Sequence, residues 1–276
     1  MCGRFALYTP PDQLARLFDA ELAAGVPPDG DPHWNIAPTT QVLGLRFAIP
    51  DHGRPDHGRP VLDQFRWGLV PPQSKDPAAG SRLFNARAET VATRPSFQDA
   101  FDHRRMAVLA DGFFEWRKGP GKGRQPHYFC RADGRPLAFA GLWADWQDPR
   151  PGATDRPVVR SCTIVTTTAG QDMDGVHDRM PVVLAPDALD RWLDPAGADR
   201  EELRTLLRPP PTGTLVHHPV DQRVGNVRHD DPGLIAPLLS PTASPPISPP
   251  TAPPTSPPNS PPAPATSSPP APATLF

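Results

Sequence analysis

Cysteine is scarce in this chain: Cys2, Cys130 and Cys162 are the only three among 276 residues. That number and spacing supply no disulfide framework and no paired CxxC, so neither a cross-linked secreted scaffold nor a cysteine-ligated metal site is expected. Long hydrophobic runs are also missing. None approaches the roughly 20 apolar residues that span a bilayer, and Met1-Cys2-Gly3-Arg4 lacks the basic start and apolar run of a signal peptide. Charge of either sign is not in excess, since the formal net charge is −2. Any nucleic-acid affinity must therefore come from locally placed arginines rather than from a basic field. The expectation is a soluble, cytoplasmic protein with no metal, cofactor or membrane partner, and a monomer by default.

Proline is what the chain has in quantity, 43 residues, concentrated towards its end. Residues 239–276 carry no charged side chain and little apolar mass. Such a segment cannot offset its own ordering entropy, so it reads as a disordered tail of polyproline II character, at most a ligand for a polyproline-binding partner. Residues 2–238 then make one domain. Within it, short β-type runs at 4–8, 41–48, 61–67, 106–110, 127–131, 137–143, 162–168 and 180–184 outnumber helical patterns near 11–18, 96–103, 186–193 and 198–207. For the first helix, Thr9 is the expected N-cap, Pro10 the first helical residue and Asp12 the capping-box acid, with Leu14, Leu17 and Phe18 on one face. No βαβ alternation is present. The fold class is therefore α+β, a mainly antiparallel, curled or barrel-like sheet with peripheral helices. The pentamer Asp-His-Gly-Arg-Pro, written twice over 51–60, and the stretches 118–125 and 148–157 read as surface connections.

Chemistry is easiest to place at Cys2. Initiator Met is trimmed when the second residue is small, which would leave an α-amine and a thiol on adjacent carbons. Their ordinary pKa values, about 7.7–8.0 and about 8.5, keep both partly nucleophilic near neutrality. Such a pair attacks an aldehyde twice, through nitrogen to a Schiff base and through sulfur to a thiazolidine. On position alone, the better reading of Cys2 is an ordinary residue at a frayed terminus, and the rest of the chain must justify the sharper one. Four polar stretches interrupt apolar runs: Phe84 to Thr90, Asp111 to Trp116, Thr166 to Ala169, and His177 to Pro181. Glu115, set between aromatics, would be a proton carrier if desolvated and an ordinary surface carboxylate if its head reaches water. His177 is either an acid–base group or a packing residue.

Taken together, Met-Cys-Gly-Arg-Phe at the start, Asn-Ile-Ala-Pro (35–38), Trp-Gly-Leu-Val-Pro (67–71), Asn-Ala-Arg-Ala-Glu-Thr (85–90), Gly-Phe-Phe-Glu-Trp (112–116) and His-Asp-Arg-Met-Pro (177–181) resemble the SRAP family. These are the SOS-response-associated peptidases, or abasic-site processing proteins, and the six motifs occur in family order. The resemblance implies a sensor of abasic sites in single-stranded DNA that forms a covalent thiazolidine crosslink through Cys2 after Met1 is removed. It implies catalytic roles for Cys2, Asn85, Glu115 and His177, with Thr166 near the same pocket. Pro38 lies in one of the same motifs and joins the expected DNA-binding set. Arg4, Arg87 and Arg179 sit beside those residues as candidates to hold phosphates. Trp67 and Trp116 could stack on bases or pack the core. The implied activity is lyase-type capture with autoprocessing peptidase activity in the DNA-damage response. The alternative is a cysteine or N-terminal-nucleophile peptidase acting on other proteins. The pair His217-His218 has no assigned role.

Overall fold

In the computed structural model, which describes residues 2–47, 59–119, 123–150, 158–194 and 199–238, the alternating apolar stretches become strands. They are β1 (Phe5–Leu7), β2 (Glu21–Leu22), β3 (His33–Ile36), β4 (Gln41–Arg46), β5 (Val61–Trp67), β6 (Asn85–Arg87), β7 (Arg105–Ala110), β8 (Gly112–Lys118), β9 (Arg124–Arg131), β10 (Leu137–Trp146), β11 (Val159–Thr168), β12 (Arg179–Pro181) and β13 (Leu215–Pro219). Four short helices accompany them: α1 (Pro11–Leu17), α2 (Gln98–His103), α3 (Pro186–Leu193) and α4 (Arg200–Leu206).

Five strands close on themselves in the order β11-β10-β7-β4-β5 and back to β11. The closing pair, β5 with β11, is parallel and pairs Arg66 with Ser161 and Trp67 with Cys162. Closure removes the free edges that an open sheet would expose. Phe65 and Trp143 lie on strands that are not neighbours, yet their rings meet at 6.1 Å across the interior. Gly44 makes room there, since a Cβ at that position would lie 2.1 Å from the Met106 side chain. Outside the barrel, α2 and α3 cover β7: the Phe101 and Trp192 rings are 5.9 Å apart, and Trp192 Nε1 donates to the Met106 carbonyl at 2.8 Å.

The second sheet runs β13-β9-β8-β1-β3, antiparallel throughout. Side chains alternate across it. One face carries Phe5, Phe113 and Phe129, and Phe5 and Phe113 reach Phe139 of the barrel with ring centroids 6.3 and 5.8 Å away. The other face carries Ala6, Phe114 and Tyr128 and forms a smaller core with Val220, Val224 and Leu234. Gly112 permits that packing, because a Cβ there would sit 2.3 Å from the Tyr128 ring.

Several local expectations need correction. Thr9 does not cap α1, whose N-cap is Pro10 with no side-chain bond. The Thr9 hydroxyl instead donates to Asp111 Oδ1 at 2.6 Å, while Asp111 Oδ2 accepts the Tyr8 and Thr9 backbone N–H groups. The first helical residue is Pro11, and Asp12 pairs with Arg16 on the surface rather than closing a capping box. Leu17 is 48% exposed, so it does not share the buried face of Leu14. Strands β2, β3, β6, β8 and β13 lie where no strand was expected. The proline-rich tail, most of the duplicated pentamer, and residues 120–122 and 151–157 lie outside the described residues. No described helix is long and apolar enough to cross a membrane.

Candidate active site

The order of the two sheets brings four distant segments together. β1 pairs with β8, which sets Cys2, just ahead of β1, beside the strand that carries Glu115. The Arg4 carbonyl accepts the Phe114 backbone N–H at 2.9 Å, extending that register towards Cys2. From the barrel side, β6 runs parallel to β11, pairing Asn85 with Ile164 and Arg87 with Thr166. Asn85 Nδ2 then donates to the Cys2 carbonyl at 2.7 Å. Its Oδ1 is enclosed and has no hydrogen-bond partner among the described residues, which leaves an acceptor aimed at whatever occupies the site. His177, ahead of β12, places Nε2 3.9 Å from Glu115 Oε2.

Burial decides the protonation of this cluster. Glu115 is 3% exposed, and burial pushes its carboxyl up to about 7. Burial also lowers His177 from its ordinary value. Both shifts favour the uncharged forms, so the 3.9 Å contact is weakened as a salt bridge, and the Glu115 carboxyl is poised to gain or lose its proton near neutrality. The Arg179 backbone N–H donates to His177 Nδ1 at 2.9 Å, which assigns the neutral ring's proton to Nε2, the nitrogen facing Glu115. Once the ring is doubly protonated, Asp178 Oδ1 at 3.1 Å and the Arg179 carbonyl at 3.2 Å can accept from Nδ1. The Cys2 thiol is fully buried; burial, reinforced by the Glu115 charge, holds its pKa well above the usual range. Thr166, fully buried, donates from Oγ1 to the Ala86 carbonyl at 3.3 Å and so ties β6 to β11.

The expected DNA-binding residues separate into two groups. Arg87 is exposed and makes no ion pair among the described residues, leaving its guanidinium available. Arg4 and Arg179 are committed. Arg4 donates from one guanidinium nitrogen to Asn35 Oδ1 at 2.9 Å and to the Val224 carbonyl at 2.7 Å. Arg179 holds Glu89 at 2.5 and 3.1 Å and the Thr166 carbonyl at 2.7 Å. Trp67 is corrected to a core residue: it is fully buried, packed 5.1 Å from the Phe5 ring, with Nε1 donating to the Phe84 carbonyl. Trp116 follows Glu115 in β8 and so projects to the opposite face, where it packs with the smaller core. Neither indole faces the cluster of Asn85, Glu115 and His177. Pro38 is half-buried and opens a turn fixed by the Thr39 N–H to the Trp67 carbonyl at 2.7 Å.

Two groups escaped the sequence reading. Asn35 fastens the C-terminal segment through Nδ2 to the carbonyls of Val224, Asn226 and His229. His127 lies directly opposite Glu115 across β8 and β9, 3% exposed, with Nδ1 3.0 Å from His217 Nδ1. Two ring nitrogens at that distance share a single proton, and burial, helped by His217, drops His127 to about 4. Strict alternation along β8 was the available signal for this face. Nothing in the sequence paired β9 with β8 in that register.

The chain is similar to several known proteins. A family model described as SOS response associated peptidase (SRAP) matches residues 1–227. Abasic site processing protein YoqW of Bacillus subtilis (strain 168) is 32% identical over 237 residues, covering 85% of this chain and 99% of its own length. Abasic site processing protein YedK of Escherichia coli (strain K12) is 33% identical over 242 residues, covering 86% and 100%. A solved structure of a Bacteroides thetaiotaomicron protein superposes with a TM-score of 0.73 at 20% identity, covering 86% of this chain and all of that one. At that identity the likeness concerns the fold alone.

Proposed function

The chain belongs to the SOS response associated peptidase (SRAP) family, and from that premise we propose that it captures abasic sites in single-stranded DNA covalently through Cys2, once Met1 has been removed. The similar proteins of Bacillus and Escherichia are named for abasic-site processing. The observation that carries the reading is the setting of Cys2. Its carbonyl is held by Asn85 at 2.7 Å, beside a buried carboxyl that exchanges its proton near pH 7.

An abasic deoxyribose opens to an aldehyde, the electrophile suited to a 1,2-aminothiol. The freed Cys2 amine adds to C1′, and loss of water gives a protonated Schiff base. Sulfur then adds to the same carbon while the imine electron pair returns to nitrogen and the thiol proton passes to the Glu115 carboxylate. The product is a thiazolidine, the sum of protein and DNA less one water. Glu115, as the acid, protonates the departing oxygen in ring opening and in dehydration. Asn85 Oδ1 accepts from the sugar or the new ring. His177, with its proton on Nε2, steadies the opened sugar and assists reversal. Arg87 holds a flanking phosphate.

A peptidase acting on other proteins would need Cys2 as a thiolate at neutral pH. The raised thiol pKa disfavours that reading. The test is intact mass before and after incubation with a single-stranded oligonucleotide carrying one abasic site. Loss of Met1 followed by a denaturation-stable adduct without borohydride is the expected result. A retained Met1 and no adduct would remove the aminothiol from the mechanism.

A further inference from the structure

The far ends of β8 and β9 carry an arrangement that folding alone does not favour. Lys118 and Arg124 stand directly opposite each other across the two strands, with Arg117 beside them opposite Gln125. Like charges in facing positions of an antiparallel pair are destabilising. All three side chains are exposed, and none has a carboxylate within 4.0 Å among the described residues. Several other cations are matched: Arg46, Arg160, Arg191 and Arg200 each hold an Asp or Glu. The cluster continues the strand that carries Glu115, with Cα atoms about 7 and 10 Å beyond it at the rise of a strand; Arg117 shares the face of Glu115, while Lys118 and the opposed Arg124 flank the strand end from the other face. Its field reaches the site, since Lys118 contributes to the lowering of His177 and Arg117 to that of His127.

We propose that Arg117, Lys118 and Arg124 form a phosphate-binding arm that holds the backbone of single-stranded DNA on the side of the site away from Arg87. The two cationic positions then come from different sheets, Arg87 from β6 beside the barrel and the arm from β8 and β9. A strand laid across Cys2 is held before and after the lesion. With a net charge of −2 the protein has no general attraction for polyanions, so a local unneutralised triplet determines where the strand runs. The assignment of single-stranded DNA as the partner rests on the proposed function, but its binding term is separable from covalent capture.

The experiment compares the full chain with its R117A/K118A/R124A variant, using a lesion-free single-stranded oligonucleotide titrated at several salt concentrations. Each phosphate contact on a single strand adds about 0.7 to the slope of log affinity against log salt. The wild type is expected to be steeper by about 2, so that between about 50 and 200 mM salt it loses roughly 20-fold more affinity than the variant. An R117K/R124K variant, which keeps the charge, is expected to retain the wild-type slope. Equal slopes for the wild type and the alanine variant, or no measurable wild-type binding at the lowest salt, would overturn the proposal. Capture of an abasic oligonucleotide is read separately by intact mass: no adduct with the wild type would refute the capture chemistry while leaving the slope comparison valid.

Discussion

Glu115 gives the sharpest quantitative prediction, because its carboxyl is buried next to a His that is also held neutral. Burial raises its pKa from 4.5 to about 7. Between those values the folded protein binds a proton that the unfolded chain has released. Stability from the neutral carboxyl is therefore fully present below pH 4.5 and is lost as pH rises through 7. At 1.36 kcal/mol per unit the loss amounts to about 3 kcal/mol. Glu115→Gln keeps the shape and removes the titration. Relative to the variant, the wild type should therefore weaken by about 3 kcal/mol between pH 4.5 and pH 8.5, read as diverging urea midpoints. The same substitution is expected to slow capture of an abasic oligonucleotide by about 10²- to 10⁴-fold and to abolish the alkaline limb that the wild-type rate shows near pH 7. Parallel stability curves for the two proteins would refute the reasoning, since Glu115 would then titrate as a solvated carboxylate.

Three further outcomes are expected. Cys2→Ser keeps the amine but replaces sulfur by a poorer ring-closing nucleophile, so its adduct should survive denaturation only after borohydride reduction, with lesion-free DNA binding unchanged; a stable adduct without borohydride would contradict the thiazolidine. Gly112→Ala forces a Cβ to 2.3 Å from the Tyr128 ring and 2.5 Å from the Phe129 carbonyl, and should cost about 1–3 kcal/mol in urea unfolding. His127, lowered from 6.5 to about 4, must bind a proton on unfolding in that window, so wild-type stability should fall as pH drops from 6.5 to 4; His127→Gln should flatten that slope, and an unchanged slope would show that His127 is already charged in the folded protein.

The sequence made the site legible and its surroundings much less so. Asn85, Glu115 and His177 lie in polar stretches that interrupt apolar runs, Cys2 stands out by its position after Met1, and the SRAP resemblance supplied their implied roles; the fold brings Asn85 to Cys2 and His177 to Glu115. The α+β class also followed from strand-length runs without βαβ alternation. Closure of the barrel was not legible. It depends on a parallel contact between residues 66–67 and 161–162, nearly a hundred positions apart, and no local pattern encodes such a pairing. Strand β13 was missed for a related reason: its two histidines and its proline have little intrinsic strand preference, and it is held in place by β9.

The tryptophans show where motif adjacency misleads. Trp116 follows Glu115 in sequence, and in a helix or loop the two could share a surface. In a strand, neighbouring residues necessarily face apart, so the carboxyl that belongs to the site sends the indole to the smaller core. The same alternation places Arg117, two residues on, back on the face of Glu115. A cation in that position, unmatched by any described carboxylate, is better suited to meet a phosphate at Glu115's face than a half-buried indole on the opposite face. The strand's period, more than proximity in the chain, thus determines which side chains of this segment can reach a ligand laid over Cys2.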